Sequence, residues 1–136
     1  AAGRPFHWAR HPWMIIVGPE GIHRWEVFHF IEKQSEHYGH IHKNFYPTLN
    51  IGIHKSIFEK SHWRGKHIGY IEGGKNSLAH RMYDFINTES KKYTYKEIYR
   101  LYPGPNSNTY IAWILNKFPE ANIKLPWNAF GKNYLK

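Results

Sequence analysis

The stretch that decides the fold is HPWMIIVGPEGIHRWEVFHF, residues 11–30. Residues 11–17 form an apolar run that ends in β-branched side chains, and residues 22–30 alternate between apolar and polar types, as strands do. The four residues between them, Gly-Pro-Glu-Gly, have the composition of a tight turn. These patterns predict a β-hairpin in which Val17 lies opposite Ile22. In that register one face of the hairpin carries His11, Trp13, Ile15, Arg24, Glu26 and Phe28.

Shorter patterns downstream predict further strands. Residues 38–45 are predicted as a third strand, with His40 and His42 on one face. A turn at 63–65 is predicted to enter another strand at 67–71.

Helical signals follow the predicted strands. Apolar residues at helical spacing predict a helix that Asn76 or Ser77 caps and that runs to about residue 87. A short helical turn is predicted over 95–101, and a last helix over 109–118, which a proline ends. Strands combined with two or three helices indicate an α+β fold with a small antiparallel sheet. A chain of 136 residues has the length of one domain, so we expect a single domain over 1–136.

The composition excludes several kinds of protein. The chain contains no cysteine, which excludes disulfides, thiolate metal sites, iron–sulfur clusters and a cysteine nucleophile. Its longest apolar run, residues 13–17, is far shorter than the roughly 20 residues that a membrane-spanning helix needs. No motif indicates a cofactor, and we expect none.

The charge favours an anionic partner. Nineteen Lys and Arg residues against ten Asp and Glu give a formal net charge of +9, and aromatic residues make up 18% of the chain. Such a surface suits peptidoglycan or anionic lipid. The chain has no fingerprint of a nucleic-acid-binding fold, and its charge is spread out, which argues against nucleic acid. The opening Ala-Ala-Gly is compatible with a trimmed exported precursor, so we expect the periplasm or cell envelope rather than the cytoplasm.

A rigid loop, Pro-Gly-Pro-Asn-Ser-Asn-Thr at residues 103–109, precedes the last predicted helix. The first N–H groups of a helix are unpaired and carry partial positive charge. Ser107 at this place could act as a nucleophile whose oxyanion intermediate the same N–H groups stabilise. Asn and Ser are also the preferred helix caps, so a purely structural role is the alternative, and both roles are compatible.

The octapeptide PGPNSNTY, residues 103–110, resembles the hallmark run of an uncharacterised bacterial family that typically reads PGPNSNTF. Three further segments are similar to that family: the opening FHW…HPWM at residues 6–14, the strand WEV at 25–27, and the closing LPWNAFGKNYL at 125–135. The resemblance covers most of the chain except residues 33–61. It implies family membership and assigns no activity.

A more distant resemblance implies a mechanism. Circularly permuted papain-like enzymes of the NlpC type, with the lecithin–retinol acyltransferase group among them, place a catalytic histidine on an early strand. Their nucleophile follows later at a helix N-terminus, in an Asn-Cys-x-x-Phe run that residues 106–110 resemble with serine in the cysteine position. The resemblance implies Ser107 as nucleophile and His11 as base. Glu26 lies diagonal to His11 on the same face in the predicted register, so it could orient the imidazole. Asn106, Asn108 and Thr109 would shape the oxyanion region.

The serine leaves two functions open. A serine in the cysteine position is compatible with an active amide or ester hydrolase or acyltransferase of the cell envelope, since serine works when its base is aligned. It is equally compatible with a non-catalytic relative that grips an anionic polymer, lipid or protein partner. Trp13, Trp63 and Trp127 are the candidate binding aromatics.

A metal site is a further alternative. His37, His40 and His42 stand close together in the sequence, and His54, His62 and His67 could add ligands. Three imidazoles with an open position would suit catalytic zinc. Their spacing matches no known metal motif, and surface histidines are the simpler explanation.

Overall fold

The structure is a computed structural model, and it describes residues 9–31, 33–34, 36–48, 52–53, 63–64 and 66–135. The elements in chain order are β1 (Met14–Gly18), β2 (Gly21–Val27), β3 (Glu36–Tyr38), β4 (Ile41–Lys43), β5 (Gly52–Ile53), β6 (Trp63–Arg64), α1 (Leu78–Glu89) and α2 (Ser107–Lys117). Short 3₁₀ turns follow the two helices at Ser90–Lys92 and Pro119–Ala121.

The strands form a small antiparallel sheet in the order β1-β2-β4-β3, and β5 pairs with β6 separately. Together with the two helices, this arrangement confirms the predicted α+β class. Among the described residues, no helix is long and apolar enough to span a membrane.

The central hairpin has the predicted register. Val17 pairs with Ile22 and Ile15 with Arg24, so the predicted face of the hairpin is correct over the paired residues. Strand β1 starts at Met14 rather than at His11. Pro12 has no N–H to donate to a ladder, and the three residues before Met14 instead form a lead-in to the strand.

The two faces of the sheet are covered differently. One face buries Trp25, Val27 and Ile41 in the main core. The opposite face buries the polar side chains of Arg24 and Glu26 instead. Because neighbouring residues of a strand point to opposite faces, the alternation of β2 divides an apolar core from a polar layer.

Two predicted strands are wrong. Residues 38–45 are not one strand, because Gly39 has a φ of +60° and turns the chain between β3 and β4. His40 therefore lies in the turn, where its N–H donates to the Lys96 carbonyl oxygen at 2.7 Å. Residues 67–71 belong to an irregular segment and form no strand; most of them are exposed, so they lack the buried face that usually stabilises a strand.

Both helices lie close to their predicted places. Ser77 caps α1, with its hydroxyl accepting the His80 N–H at 3.2 Å. Helix α2 begins at Ser107, two residues before the predicted start, and ends before Phe118 and the proline that follows. The helical turn predicted over 95–101 is limited to turns at 94–97.

The core fills the space between the apolar face of the sheet and the helices. Its buried members are Ile16, Trp25, Val27, Ile41, Met82, Ile86, Tyr93, Tyr110, Ile111, Ile114 and Phe118. The buried hydroxyls of Tyr110 and Ser90 share a 2.7 Å hydrogen bond. Burial raises the pKa of the Tyr110 hydroxyl, so it remains a neutral partner at physiological pH. Helix α2 is thereby fixed against the end of α1.

Truncation of one buried side chain of α2 tests this packing. Ile114 is fully buried in the core, so we expect Ile114→Ala to lower the free energy of unfolding by about 2–5 kcal/mol. Ile98 is an exposed residue of the same type, and Ile98→Ala should cost less than about 1 kcal/mol. Urea denaturation measures both values, and equal losses would contradict the placement of α2.

Candidate active site

The start of α2 is capped by Asn106, not by Ser107. The Asn106 side-chain oxygen accepts the N–H groups of Asn108 at 2.9 Å and Thr109 at 3.3 Å. The Thr109 hydroxyl in turn accepts the Asn106 N–H at 3.1 Å, which completes a capping box. Ser107 is therefore the first residue of the helix, and its hydroxyl has no capping role.

The side-chain donors around Ser107 hold the loop in place. Asn108 donates from Nδ2 to the carbonyl oxygens of Arg10 at 3.0 Å and Phe130 at 2.8 Å. The Asn106 amide donates to Leu101 O at 2.9 Å, and the Thr109 hydroxyl donates to Gly131 O at 2.8 Å. The predicted oxyanion residues are therefore adjacent to Ser107, but their side-chain donors are engaged within the fold.

The backbone N–H of Ser107 is a different kind of donor. The next two N–H groups of the helix are taken by the Asn106 side chain, and that of Tyr110 bonds the Asn106 carbonyl oxygen. The Ser107 N–H forms no hydrogen bond with an acceptor in the described part of the chain. It is the helix donor that remains for a ligand oxygen.

The Ser107 hydroxyl meets the His11 imidazole, a contact that the permuted papain-like resemblance implies. Their Oγ and Nδ1 atoms lie 3.1 Å apart, although the residues are 96 positions apart in the chain. The His11 ring stacks on Phe28, with a centroid distance of 5.2 Å and an angle of 18° between the planes. This stacking restricts the plane of the imidazole.

The other imidazole nitrogen faces a buried carboxylate. His11 Nε2 lies 3.7 Å from Oε2 of Glu26, which suits an ion pair after protonation but is longer than a hydrogen bond. The same oxygen accepts a 2.9 Å hydrogen bond from Arg24. The order serine, imidazole, carboxylate is that of a triad. In the best-known serine triads, however, Nε2 contacts the serine and Nδ1 the carboxylate, and here the nitrogens exchange places.

Two titratable neighbours of Glu26 are held neutral. His42 lies opposite Glu26 across β2 and β4 and donates from Nε2 to the Phe30 carbonyl oxygen at 3.1 Å. Burial is the main reason why the pKa of His42 is lowered. Burial, followed by the charge of Glu26, raises the pKa of the Tyr46 hydroxyl. Neither group therefore contributes a charge to the site at neutral pH.

The site is largely enclosed. Ser107 is 4% exposed, whereas the His11 side chain is 14% exposed. Solvent therefore reaches the pair mainly from the side of the imidazole.

The three candidate binding tryptophans differ in their surroundings. Trp13 adjoins His11, with a ring centroid distance of 6.4 Å, and packs against the Arg24 guanidinium. Trp127 is 79% exposed and precedes Asn128, whose carbonyl oxygen accepts the Arg10 N–H at 3.3 Å. The side chain of Trp63 lies outside the described part of the structure.

The described residues do not support the zinc alternative. They contain no group of three His, Asp or Glu side chains that could hold a metal ion. His37 and His42 pair across β3 and β4, but the ring of His40 packs on Tyr99 from its place in the turn. His67 stacks on Tyr70, and His54 and His62 lie outside the described residues.

Sequence reasoning missed Arg24 as a member of the site. Its guanidinium lies between the Trp13 and Tyr46 rings, with 4.6 and 5.2 Å to their centroids, and bonds Glu26. The predicted register already placed Trp13, Arg24 and Glu26 on one face. An arginine two residues from a carboxylate on a face with aromatic neighbours was the signal that could have identified it.

Comparison with known proteins identifies the family. A model of the family described as "Protein of unknown function (DUF3750)" matches residues 5–134. The chain belongs to this family. The predicted membership of an uncharacterised family is thereby confirmed. No curated protein and no solved structure is significantly similar to the chain, and the permuted papain-like relation is not shown.

Glycine 131 is essential to the geometry of the cap. Its φ is +92°, and a Cβ there would lie 2.5 Å from Nδ2 and 2.6 Å from Oδ1 of Asn106. We expect Gly131→Ala to lower the free energy of unfolding by about 2 kcal/mol or more, because it adds backbone strain and displaces the cap.

Substitutions at two other glycines separate the effect of backbone strain from the effect of displacing the Asn106 cap. Gly21 has a φ of +114° and open space at its Cβ, so Gly21→Ala reports strain alone, about 1 kcal/mol. Gly74 also has open space and lacks a positive φ, so Gly74→Ala should change stability by less than about 0.5 kcal/mol. Denaturant-induced unfolding measures the free energy of unfolding of all three variants. A loss for Gly131→Ala no larger than that for Gly21→Ala would contradict the close contact with Asn106.

Proposed function

We propose that the protein is a serine-dependent hydrolase or acyltransferase that acts on amide or ester bonds. Ser107 is the nucleophile, His11 the general base and Glu26 the group that orients the imidazole. The observation that carries the proposal is the 3.1 Å contact between the Ser107 hydroxyl and His11 Nδ1. That distance is within reach of direct proton transfer.

The first chemical step forms a tetrahedral intermediate on Ser107. His11 Nδ1 takes the hydroxyl proton while Ser107 Oγ forms a bond to the acyl carbon of the substrate. The negative charge that develops on the carbonyl oxygen is stabilised by the Ser107 N–H and by the positive end of α2. Glu26 stabilises the imidazolium that forms, since Oε2 lies 3.7 Å from Nε2.

The next steps release the leaving group and then free the serine. The imidazolium gives its proton to the leaving nitrogen or oxygen as the bond from that atom to the acyl carbon breaks, and the acyl group remains on Ser107 Oγ as an acyl-enzyme. His11 then takes a proton from water or from an acceptor alcohol or amine, which attacks the acyl-enzyme. The imidazolium returns that proton to Ser107 Oγ as the bond from Oγ to the acyl carbon breaks, which regenerates Ser107. Water as the acceptor gives hydrolysis, and an alcohol or amine gives acyl transfer.

The substrate is expected to be anionic material of the cell envelope. The net charge of +9 favours peptidoglycan or anionic lipid. An early histidine beside a strand and a nucleophile at a helix N-terminus also support the permuted papain-like resemblance. The periplasm or cell envelope is the compartment that fits this substrate.

A binding module is the second candidate function. Trp127 and Tyr102 are both more than two-thirds exposed, and Tyr102 contacts Phe130 in the segment that packs on the catalytic loop. Exposed aromatic rings on a basic surface suit the grip of an anionic polymer. Such a protein would use Ser107 and His11 for structure only.

Covalent labelling separates the two candidates. We expect a fluorophosphonate probe to modify Ser107 because the adjacent imidazole accepts the hydroxyl proton. Ser107→Ala should abolish labelling, and His11→Gln should reduce it by at least about 100-fold. Mass spectrometry of the labelled protein measures both effects.

Ser77→Ala is the matched control, since Ser77 also lies at a helix N-terminus but acts as the cap of α1. It should leave labelling unchanged. Absence of label from the folded wild-type protein, or equal label in Ser107→Ala, would overturn the nucleophile and leave the binding module.

A further inference from the structure

Both the backbone and the side chain of Arg24 make close contacts within the fold. Its backbone N–H donates to the Asn44 side-chain oxygen at 2.8 Å, and its carbonyl oxygen accepts the Asn44 N–H at 2.8 Å. Its side chain is 0% exposed and lies between the rings of Trp13 and Tyr46. A buried guanidinium is costly unless it is paired and well placed, so this position demands a specific partner.

That partner is the same carboxylate oxygen that faces the imidazole. Glu26 Oε2 is 2.9 Å from the Arg24 guanidinium and 3.7 Å from His11 Nε2. Arg24 therefore fixes the position of the atom that the triad uses to orient its base. The planar guanidinium is held by two rings, which a lysine could not reproduce.

The charge balance around Glu26 depends on Arg24. His42 faces Glu26 from β4, and Tyr46 approaches from the loop after β4; the lowered pKa of His42 and the raised pKa of Tyr46 keep both neutral. Arg10 adjoins His11 along the chain but is exposed. Within the described residues, Arg24 is thus the buried permanent cation beside this carboxylate.

We propose that Arg24 is the positioning residue of the site, which holds the Glu26 carboxylate toward His11 and offsets its charge. The proposal rests on the function proposed above. A buried carboxylate without Arg24 would attract a proton onto the neighbouring imidazole, because an opposite charge at this range favours the charged form. An imidazolium cannot accept the Ser107 proton. Arg24 thus holds Glu26 in place to orient the base and offsets the negative charge that Glu26 presents to the imidazole.

The test follows two readouts across pH. One is the rate at which the fluorophosphonate probe labels Ser107, and the other is the ¹⁵N spectrum of the His11 imidazole, which needs no activity. Arg24→Met should move the acid limb of both profiles to higher pH by about 1 unit or more. Arg24→Met combined with Glu26→Gln should remove that shift, since no unbalanced carboxylate remains.

The control is a second Arg–Glu pair. Arg81 and Glu120 are also 2.9 Å apart but exposed, so Arg81→Met should leave both profiles unchanged. Arg24→Lys should lie between the wild type and Arg24→Met, because it keeps a charge but loses the planar guanidinium. If the acid limbs of both pH profiles are unchanged in folded Arg24→Met, the positioning role is overturned.

A further comparison applies if Arg24→Met fails to fold. The double variant has no unpaired buried carboxylate and is compared with Glu26→Gln alone. If Arg24 acts through Glu26, the plateau labelling rate of the double variant should differ from that of Glu26→Gln by less than about twofold. A further tenfold loss would show that Arg24 acts by another route and would overturn the proposal. If the wild type takes no label, the ¹⁵N spectra still test the coupling of Arg24 to His11, while the proposed function fails by itself.

Discussion

The side-chain amide of Asn108 joins three distant parts of the chain. Its Nδ2 group bonds the carbonyl oxygens of Arg10 and Phe130, so the start of α2, the approach to β1 and the C-terminal segment meet at one point. His11 follows Arg10 directly, and Ser107 precedes Asn108 directly. The contact between imidazole and hydroxyl is therefore a consequence of this bridge. The capping box of Asn106 and Thr109 then gives the helix start a single conformation.

The polar face of the sheet buries two charged side chains, and their removal from water costs free energy that other interactions of the fold must offset. Arg24 and Glu26 are both fully buried, and a buried ion pair often stabilises a protein no more than apolar residues would. The chain places this pair between aromatic rings and beside His11, not in the main core. The position of this costly pair next to a serine–histidine contact is consistent with the proposed catalytic role of the site.

Local sequence patterns predicted the elements that depend on local forces. The register of β1 and β2 follows from a four-residue turn and from alternation, and the cap of α1 follows from a serine before an apolar helix. The grouping of Ser107 with His11 came instead from the resemblance to permuted papain-like enzymes, and Glu26 was added from the predicted register of the hairpin. The predictions that proved wrong concern features that depend on contacts between residues far apart in the chain. The break at Gly39 is fixed by its close approach to Lys96, which is far away in the chain.

The exact start of α2 is a similar case. Residues 106–109 are all good caps, and the choice of Asn106 depends on the space that Gly131 leaves for its side chain. The role of Arg24 likewise required Tyr46, which reaches it from beyond the next strand. Patterns of hydrophobicity contain no information about such partners. Sequence therefore identified the members of the candidate site better than it identified what holds them.

A crystal structure of the protein after reaction with a phosphonate probe tests the central claim most directly. The account predicts a covalent bond from phosphorus to Ser107 Oγ, with a phosphonyl oxygen about 2.7–3.1 Å from the Ser107 N–H. His11 Nδ1 should remain beside the modified oxygen. A probe attached to another residue, or a Ser107 side chain turned away from His11, would contradict the account.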